Sequence, residues 1–231
     1  MGKHKQHRIL LLLSVIILVL GYLHNVPKKI SHEDELALEH IFKTSNVVGD
    51  ALSFEEQIEY IDLLLNELHR KFPLFSPIKY NSKREPKDLL ANGSGLCYDY
   101  SRSIEKQLML NGFKTRHVAV FRSKKNFWAT ITSKGVLSHS LSEVQTKKGW
   151  MIIDSNEPFY AQDITGEVYS YKSLKDLEQA PNWKLHIHPE LAPFYEPEIE
   201  YVYGLYSRHG RFYPPYNFIP DYNFNELFYN F

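Results

Sequence analysis

The chain has 231 residues, 27 basic and 27 acidic side chains, and one cysteine. A hydrophobic fraction of 43% with 14% aromatic residues is sufficient for a packed core, which excludes a generally disordered chain. The formal net charge of zero argues against a protein that neutralises phosphates, so we expect no nucleic-acid partner. A single cysteine excludes an intrachain disulfide and any zinc site that needs two or four cysteines.

The first 27 residues have the composition of a membrane segment. Residues 1–8 carry three Lys or Arg side chains and no acidic one, and Ile9 to Pro27 contains none of either sign. These 19 residues would form a helix of about 28 Å, close to the roughly 30 Å hydrocarbon layer of a bilayer. We expect an uncleaved signal anchor that contacts the membrane through Ile9–Val26, with a signal peptide cleaved after Gly21 as the alternative. The remainder is then extracytoplasmic, and secreted if the signal is cleaved.

Helices are predicted in the first half of the remainder. Residues 28–52 are mixed, with a short acidic run, and we expect a stalk that contains one small helix. The clearest helix covers Ser53–Phe72, where a capping box of Ser and Glu is followed by apolar residues at helical spacing. A second helix begins at Leu96 after a glycine-containing turn and ends at Asn111-Gly112. Cys97 therefore lies in the first turn of that helix.

Beyond this helix the hydrophobic period changes from helical spacing to alternation. Four strands are predicted, at His117–Phe121, Phe127–Ile131, Leu137–Val144 and Trp150–Asp154. Helices followed by short successive strands predict an α+β domain over residues 53–190, with helices packed on an antiparallel sheet. Residues 191–231 form a tail, in which 14 of the 38 residues from Phe194 onward are Phe or Tyr. No period fits this tail, so we expect irregular backbone held by aromatic packing.

Cys97 is the candidate nucleophile. A thiol reacts at neutral pH only when its thiolate is stabilised, which the free N–H groups of a helix N-terminus or an adjacent imidazolium can do. The predicted helix places Cys97 at such an N-terminus, just after two glycines that allow a close approach. A lone cysteine is more often a small buried core residue, so position alone does not identify a site.

A predicted hairpin brings His139 close to Asp154. Alternation along the third and fourth predicted strands leaves both side chains on one face. With a four-residue loop they lie directly opposite each other, at roughly 5 Å between Cβ atoms, and with the two-residue loop Lys147-Lys148 they are diagonal neighbours. Either residue alone has a common explanation, as a surface histidine or a turn-capping aspartate. A nucleophile, a base and an orienting acid together indicate acyl-transfer chemistry.

Four short motifs resemble the transglutaminase-like superfamily. They are Gly95–Tyr100 (GLCYDY), Leu110–Arg116 (LNGFKTR), His139–Val144 (HSLSEV) and Gly149–Asp154 (GWMIID). The order Cys, His, Asp and the gaps of 42 and 15 residues between them are typical of that family, and the resemblance covers about residues 86–156. Leu141 departs from the family pattern, which usually has tryptophan there.

This resemblance implies a papain/transglutaminase-like fold and a bacterial, membrane-anchored cysteine enzyme without an obligatory metal or cofactor. Cys97 would form a thioester from an amide or peptide acyl group, His139 would move the proton, and Asp154 would orient the imidazole. We expect a peptidase or amidase rather than a cross-linker, with a protein, peptide or cell-envelope substrate. The binding residues and the oligomeric state are not evident from the sequence.

Two other function classes remain open. A non-catalytic protein-binding module could keep the same fold, although it would have no reason to retain all three groups in register. A metal-dependent hydrolase could use His186 and His188, but no cysteine or carboxylate accompanies them at ligand spacing. We therefore expect no metal site.

Overall fold

The structure of the chain, a computed structural model, describes residues 3–43, 47–73, 75–79, 83–122, 126–208 and 221–231. These residues form helices packed on an antiparallel sheet, preceded by one long apolar helix. The predicted combination of helices and antiparallel strands behind an N-terminal apolar helix is confirmed at this level.

Helix α1 (Lys3–His24) contains the apolar N-terminal stretch. Its window from His7 to His24 has 18 residues with a mean hydropathy of 2.0, and none of them is buried against the rest of the protein. By length and composition this helix is suited to be a membrane anchor or a signal sequence.

Four helices make up the helical layer: α2 (His32–Ile41), α3 (Phe54–Lys71), α4 (Pro86–Asn92) and α5 (Cys97–Leu110). The predicted capping box of α3 is confirmed, because the Glu56 N–H donates to Ser53 Oγ and the Ser53 N–H donates to Glu56 Oε2. The predicted stop after α5 is present as well. Gly112 has a φ of 81°, a left-handed conformation that glycine adopts without strain.

Helix α2 contradicts the expectation that residues 28–52 form a stalk. Leu38 is fully buried and Ile41 is 2% exposed, both within the core that α3 and α4 share. On the charged side of the helix, Asp34 accepts a hydrogen bond from the buried Lys106 Nζ at 2.7 Å. Packing against α3 and α4 removes the apolar face of α2 from water, and this burial stabilises the helix as part of the body.

Five strands form the main sheet: β1 (Thr115–Arg122), β2 (Leu137–Thr146), β3 (Gly149–Asp154), β4 (Phe159–Tyr160) and β5 (Ile199–Tyr203). Their spatial order is β4-β3-β2-β1-β5, and every neighbouring pair is antiparallel. Three of the four predicted strands are confirmed as parts of β1, β2 and β3. A separate pair joins β6 (Leu205–Tyr206) to β7 (Asp221–Tyr222).

The strand predicted at Phe127–Ile131 is wrong, because this segment forms the short helix α6 (Phe127–Thr132). Asn126 caps the helix, since its Oδ1 accepts from the Ala129 N–H at 2.9 Å. Trp128 is 72% exposed, so the alternating apolar residues are not buried on a sheet face. The capping hydrogen bond therefore favours a helix here, because a strand in this segment would gain no burial against the rest of the protein.

The sheet is buried on both faces. The face toward α3 and α5 carries a cluster that includes Ile61, Leu65, Leu68, Ile104, Leu108, Val144 and Met151. The opposite face carries a second cluster that includes Val118, Leu141, Ile152, Phe159, Tyr171, Phe194, Tyr195 and Tyr203. Two short helices, α7 (Tyr171–Lys175) and α8 (Phe224–Leu227), complete the described elements besides single 3₁₀ turns.

The C-terminal region contradicts the expectation of purely irregular backbone. Residues 199–203 are an edge strand that pairs with β1, and Tyr and Val residues on both of its faces conceal the alternation in the sequence. Aromatic packing is present in part of the tail. Phe194, Tyr195, Tyr203 and Tyr206 are buried, whereas Phe224, Phe228 and Phe231 are exposed. Four further rings lie outside the described residues: Phe212, Tyr213, Tyr216 and Phe218.

Candidate active site

Cys97 is the first residue of α5 and is partly exposed. The chain turns into the helix through Gly95, where there is no space for a side chain. A Cβ at Gly95 would stand 2.7 Å from Asp99 Cβ and 2.8 Å from Leu89 Cδ1, so only glycine fits. The Leu96 N–H then donates to Asp99 Oδ2 at 2.9 Å, which caps the helix. The N–H of Cys97 precedes the first hydrogen bond of the helix, which the Asp99 N–H donates to the Leu96 carbonyl oxygen. The partial positive charge of this helix terminus favours a thiolate at Cys97.

Asp99 also binds Arg84, a residue that no sequence motif marks as part of the site. Arg84 donates from Nε and Nη2 to the two carboxylate oxygens of Asp99, at 2.9 and 2.7 Å. It also donates from Nη1 to the Ser207 carbonyl oxygen at 2.7 Å. The guanidinium is 2% exposed, so this pair joins the start of α5 to the C-terminal region.

The hairpin register places His139 and Asp154 as diagonal neighbours. Thr146 pairs with Gly149 and Ser142 with Ile153, so the connecting loop is the two-residue alternative, Lys147-Lys148. His139 Nε2 and Asp154 Oδ2 are joined by a hydrogen bond of 2.9 Å. The diagonal arrangement suits this contact because the imidazole is long enough to reach the carboxylate two positions along the partner strand.

The imidazole of His139 also lies close enough to the Cys97 thiol for the thiol to influence its charge. Burial alone would lower the pKa of the imidazole. The charge of Asp154, its hydrogen bond and the neighbouring Cys97 outweigh burial and raise the pKa of His139 to about 10. Since Nε2 is engaged by the carboxylate, Nδ1 is the nitrogen left for the thiol. The imidazole of His139 is thus held as an imidazolium beside the Asp154 carboxylate.

Asp154 is fully buried and receives three hydrogen bonds. Besides His139, the Tyr195 hydroxyl donates to Oδ2 at 2.5 Å, and the Asn156 N–H donates to Oδ1 at 2.9 Å. Tyr195 is 1% exposed, and burial together with the carboxylate charge raises its pKa well above the ordinary value. No sequence pattern points to Tyr195, because it lies 41 residues beyond Asp154 in a segment without regular periodicity.

The ring of Phe194 packs against the imidazole of His139. Its ring centroid lies 5.3 Å from that of His139, and the side chain is 6% exposed. Phe194 and Tyr195 therefore act on the same pair of residues, one through ring contact and the other through a hydrogen bond. A short 3₁₀ helix, Ala192–Tyr195, places both.

Cys97 and His139 open onto a cavity of about 1050 Å³, whereas Asp154 lies behind the imidazole and does not line it. Much of the wall is apolar, with contributions from Phe75, Leu96, Leu137, Leu191 and Phe194. The volume is large enough for a peptide-sized group. The arrangement exposes the thiol and the imidazole to a ligand while shielding the carboxylate from water.

A second acid–histidine pair has a different role. Glu105 Oε1 lies 2.7 Å from His117 Nδ1, and Ser140 Oγ lies 2.9 Å from His117 Nε2. All three side chains are fully buried, so no substrate can reach them. This pair instead joins α5 to β1 and β2, next to His139.

His186 and His188, the histidines considered for a metal site, are both exposed and lie in an irregular segment rather than a strand. Within the described parts of the chain, no group of three or more His, Cys, Asp or Glu side chains could hold a metal ion. The alternation of exposure along residues 182–188 still points the two imidazoles to the solvent side.

A scan against protein-family models finds no match to this chain, and a search of curated proteins finds no relative of significant similarity. The function is therefore inferred from the geometry around Cys97, His139 and Asp154.

Proposed function

We propose that the protein is a cysteine enzyme that cleaves or transfers an amide or peptide acyl group through a thioester, on a papain/transglutaminase-like fold. One observation carries the proposal. Cys97 starts a helix and interacts with His139, whose other nitrogen is held by Asp154 at 2.9 Å. This is the order of groups that nucleophilic acyl transfer requires.

The first half of the reaction uses all three side chains. The Cys97 thiolate attacks the carbonyl carbon, a C–S bond forms, and the carbonyl electron pair moves to oxygen. The Cys97 backbone N–H, at the start of α5, is positioned to donate to that oxyanion. As the C–N bond breaks, the His139 imidazolium transfers its proton to the leaving amine, and a thioester remains.

The second half regenerates the thiol. Neutral His139 removes a proton from water, the hydroxide oxygen attacks the thioester carbon, and the C–S bond breaks to release a carboxylic acid. An amine in place of water would give transamidation. We favour hydrolysis, and hence a peptidase or amidase, because no binding site for an amine acceptor is evident among the described residues beside the cavity.

The location of the enzyme is part of the proposal. We place α1 in a membrane as an uncleaved anchor and the body outside the cytoplasm, where a protein, peptide or cell-envelope component is the substrate. The basic residues before the apolar run support this orientation.

The test is the alkylation rate of Cys97 by iodoacetamide between about pH 5 and pH 9. If the proposal is correct, we expect the His139 imidazolium to keep the thiol reactive on the acidic side of neutrality. The variant His139→Ala should remove that reactivity, while His186→Ala, which changes an exposed histidine elsewhere, should leave it intact. Incubation with a peptide-amide library should then yield a covalent adduct at Cys97, absent in Cys97→Ala.

The opposite outcome supports the non-catalytic binding module. In that case Cys97 reacts slowly below neutral pH, His139→Ala changes nothing, and Cys97→Ala binds its partner as tightly as the unmodified protein. Undiminished turnover by Cys97→Ala would likewise exclude the proposed enzyme.

A further inference from the structure

The end of α1 is fastened to the C-terminal segment, residues 221–231. The Tyr222 hydroxyl donates to the Gly21 carbonyl oxygen at 3.0 Å, and the Val26 N–H donates to the Tyr222 carbonyl oxygen at 2.7 Å. Asn223 Nδ2 donates to the Val26 carbonyl oxygen, also at 2.7 Å. The apolar helix therefore leaves the protein body from a defined place on this segment.

The same junction is tied into the sheet. Lys28 Nζ donates to Glu226 Oε1 at 2.7 Å, and Glu226 also accepts from the Tyr206 hydroxyl and from the His117 N–H. Val26 is fully buried in a small cluster with Tyr206. Because the contacts are buried and charged, they hold α1 and the body in one relative position.

Large aromatic side chains are exposed beside this exit point. Phe224 is 50% exposed and Phe228 is 74% exposed, and the spacing of four residues puts them on one side of a continuous helical turn. The Phe224 N–H donates to Asn25 Oδ1, and its ring lies 3.8 Å from the position of a Cβ built on Gly21. The C-terminal Phe231 is fully exposed.

We propose that the C-terminal segment is a membrane-interface element, whose exposed rings insert among the lipid headgroups around the exit of α1. The occupant of this aromatic surface is thus the bilayer that receives the helix. The headgroup layer extends roughly 5–8 Å beyond the hydrocarbon on each side, and Phe224 lies beside Gly21, within the last turn of the apolar run. Aromatic side chains are favoured at that depth because they bury apolar area without leaving the interface.

One part of the cavity lies close to this surface. Ser207 lines the cavity, and the next residue, Arg208, donates from Nη2 to the Leu23 carbonyl oxygen at 3.0 Å. One wall of the cavity is therefore a single residue away from the membrane helix. Provided that the proposed function is correct, the enzyme acts on acyl groups presented at the membrane surface.

The interface itself is tested without catalysis. In a Cys97→Ala background the full-length chain has no cysteine, so Phe228→Cys gives one site for a nitroxide label. The protein is reconstituted in vesicles of phosphatidylcholine and phosphatidylglycerol, and collisions of the label with oxygen and with a water-soluble nickel chelate are measured. Trp128→Cys is the matched control, because Trp128 is similarly exposed, at 72%. Lys28, just after the membrane helix, contacts Thr115 at the start of β1. Trp128 lies in α6, which follows the other end of that strand.

A label at residue 228 should collide several-fold less with the nickel chelate than a label at residue 128, and more with oxygen. A third label, at Ile16→Cys, should show the deepest position. Equal nickel-chelate collisions at 228 and 128 would overturn the membrane-interface proposal while leaving the anchor and the enzyme untouched. A water-exposed label at 16 would overturn the anchor and, with it, this surface.

Discussion

At the scale of single residues, Asp154 is tightly constrained, because one of its oxygens accepts from both His139 and Tyr195. The hydroxyl withdraws negative charge from that oxygen. Replacing it in Tyr195→Phe should strengthen the attraction between Asp154 and the imidazolium, so the pKa of His139 should rise further. The alkaline limb of the activity profile should shift upward, and the free energy of unfolding should fall by about 1–3 kcal/mol.

Tyr171→Phe is the matched control for this variant. Tyr171 is fully buried in the same cluster, and its hydroxyl has no hydrogen-bond partner among the described residues. Its removal should leave the pH profile in place. Equal shifts in both variants would show that Tyr195 supports the fold only and does not position Asp154.

The raised pKa of His139 also predicts pH-dependent stability. The pKa is about 10 in the folded protein and about 6.5 for an unfolded histidine. The folded state therefore binds the proton more tightly, and this stabilisation is complete below about pH 6.5 and is lost as the pH rises through about 10. Urea unfolding should give a stability difference between the unmodified protein and Asp154→Asn that shrinks across this window. A difference that stays constant from pH 6.5 to 10 would contradict the ion pair.

At the scale of elements, the strand β5 and the turn before it belong to the body. They supply the edge partner of β1, the Tyr195 hydroxyl, and Tyr203, which donates to Glu143 Oε1 at 2.9 Å. Truncation after Leu191 removes all of these without touching Cys97, His139 or Asp154. We expect a lower melting temperature or aggregation, measured by calorimetry and light scattering.

A shorter truncation provides the control. Ending the chain at Asn230 removes only Phe231, which is fully exposed, and retains the Asn230 side chain that accepts from the Tyr203 N–H at 2.9 Å. Its melting temperature in detergent should match that of the full chain. If the truncation after Leu191 is equally stable, aromatic burial does not hold this region.

At the scale of the whole molecule, the orientation of α1 decides which compartment the cavity faces. Positive residues precede the apolar run of α1, so we expect residues from Lys28 onward to be extracytoplasmic. A membrane-impermeant maleimide added to spheroplasts should label Cys97, which is partly exposed. In a Cys97→Ala background, Lys5→Cys should react only after the membrane is opened. The reverse pattern would invert the assignment, and a mature N-terminus at Tyr22 would identify a cleaved signal peptide.

Local patterns were sufficient for several features of this protein. The apolar run of α1, the capping box of α3, the glycine after α5 and the hairpin loop of two or four residues are each encoded within a few neighbouring positions. The same reasoning placed Cys97, His139 and Asp154 as candidates, because strand alternation leaves His139 and Asp154 on one face for either loop. It failed at α6, where a local cap with Asn126 outweighs an alternating pattern that no partner buries.

The sequence by itself determined the short-range elements and the choice of three candidate residues, since hydrogen bonds and periodicity act over one or two turns. Only the tertiary structure decided that α2 is part of the core, that Tyr195 and Phe194 hold His139 and Asp154, and that Arg84 fixes the start of α5. These contacts join positions far apart in the chain, and they depend on which surfaces become buried together, which no local pattern specifies.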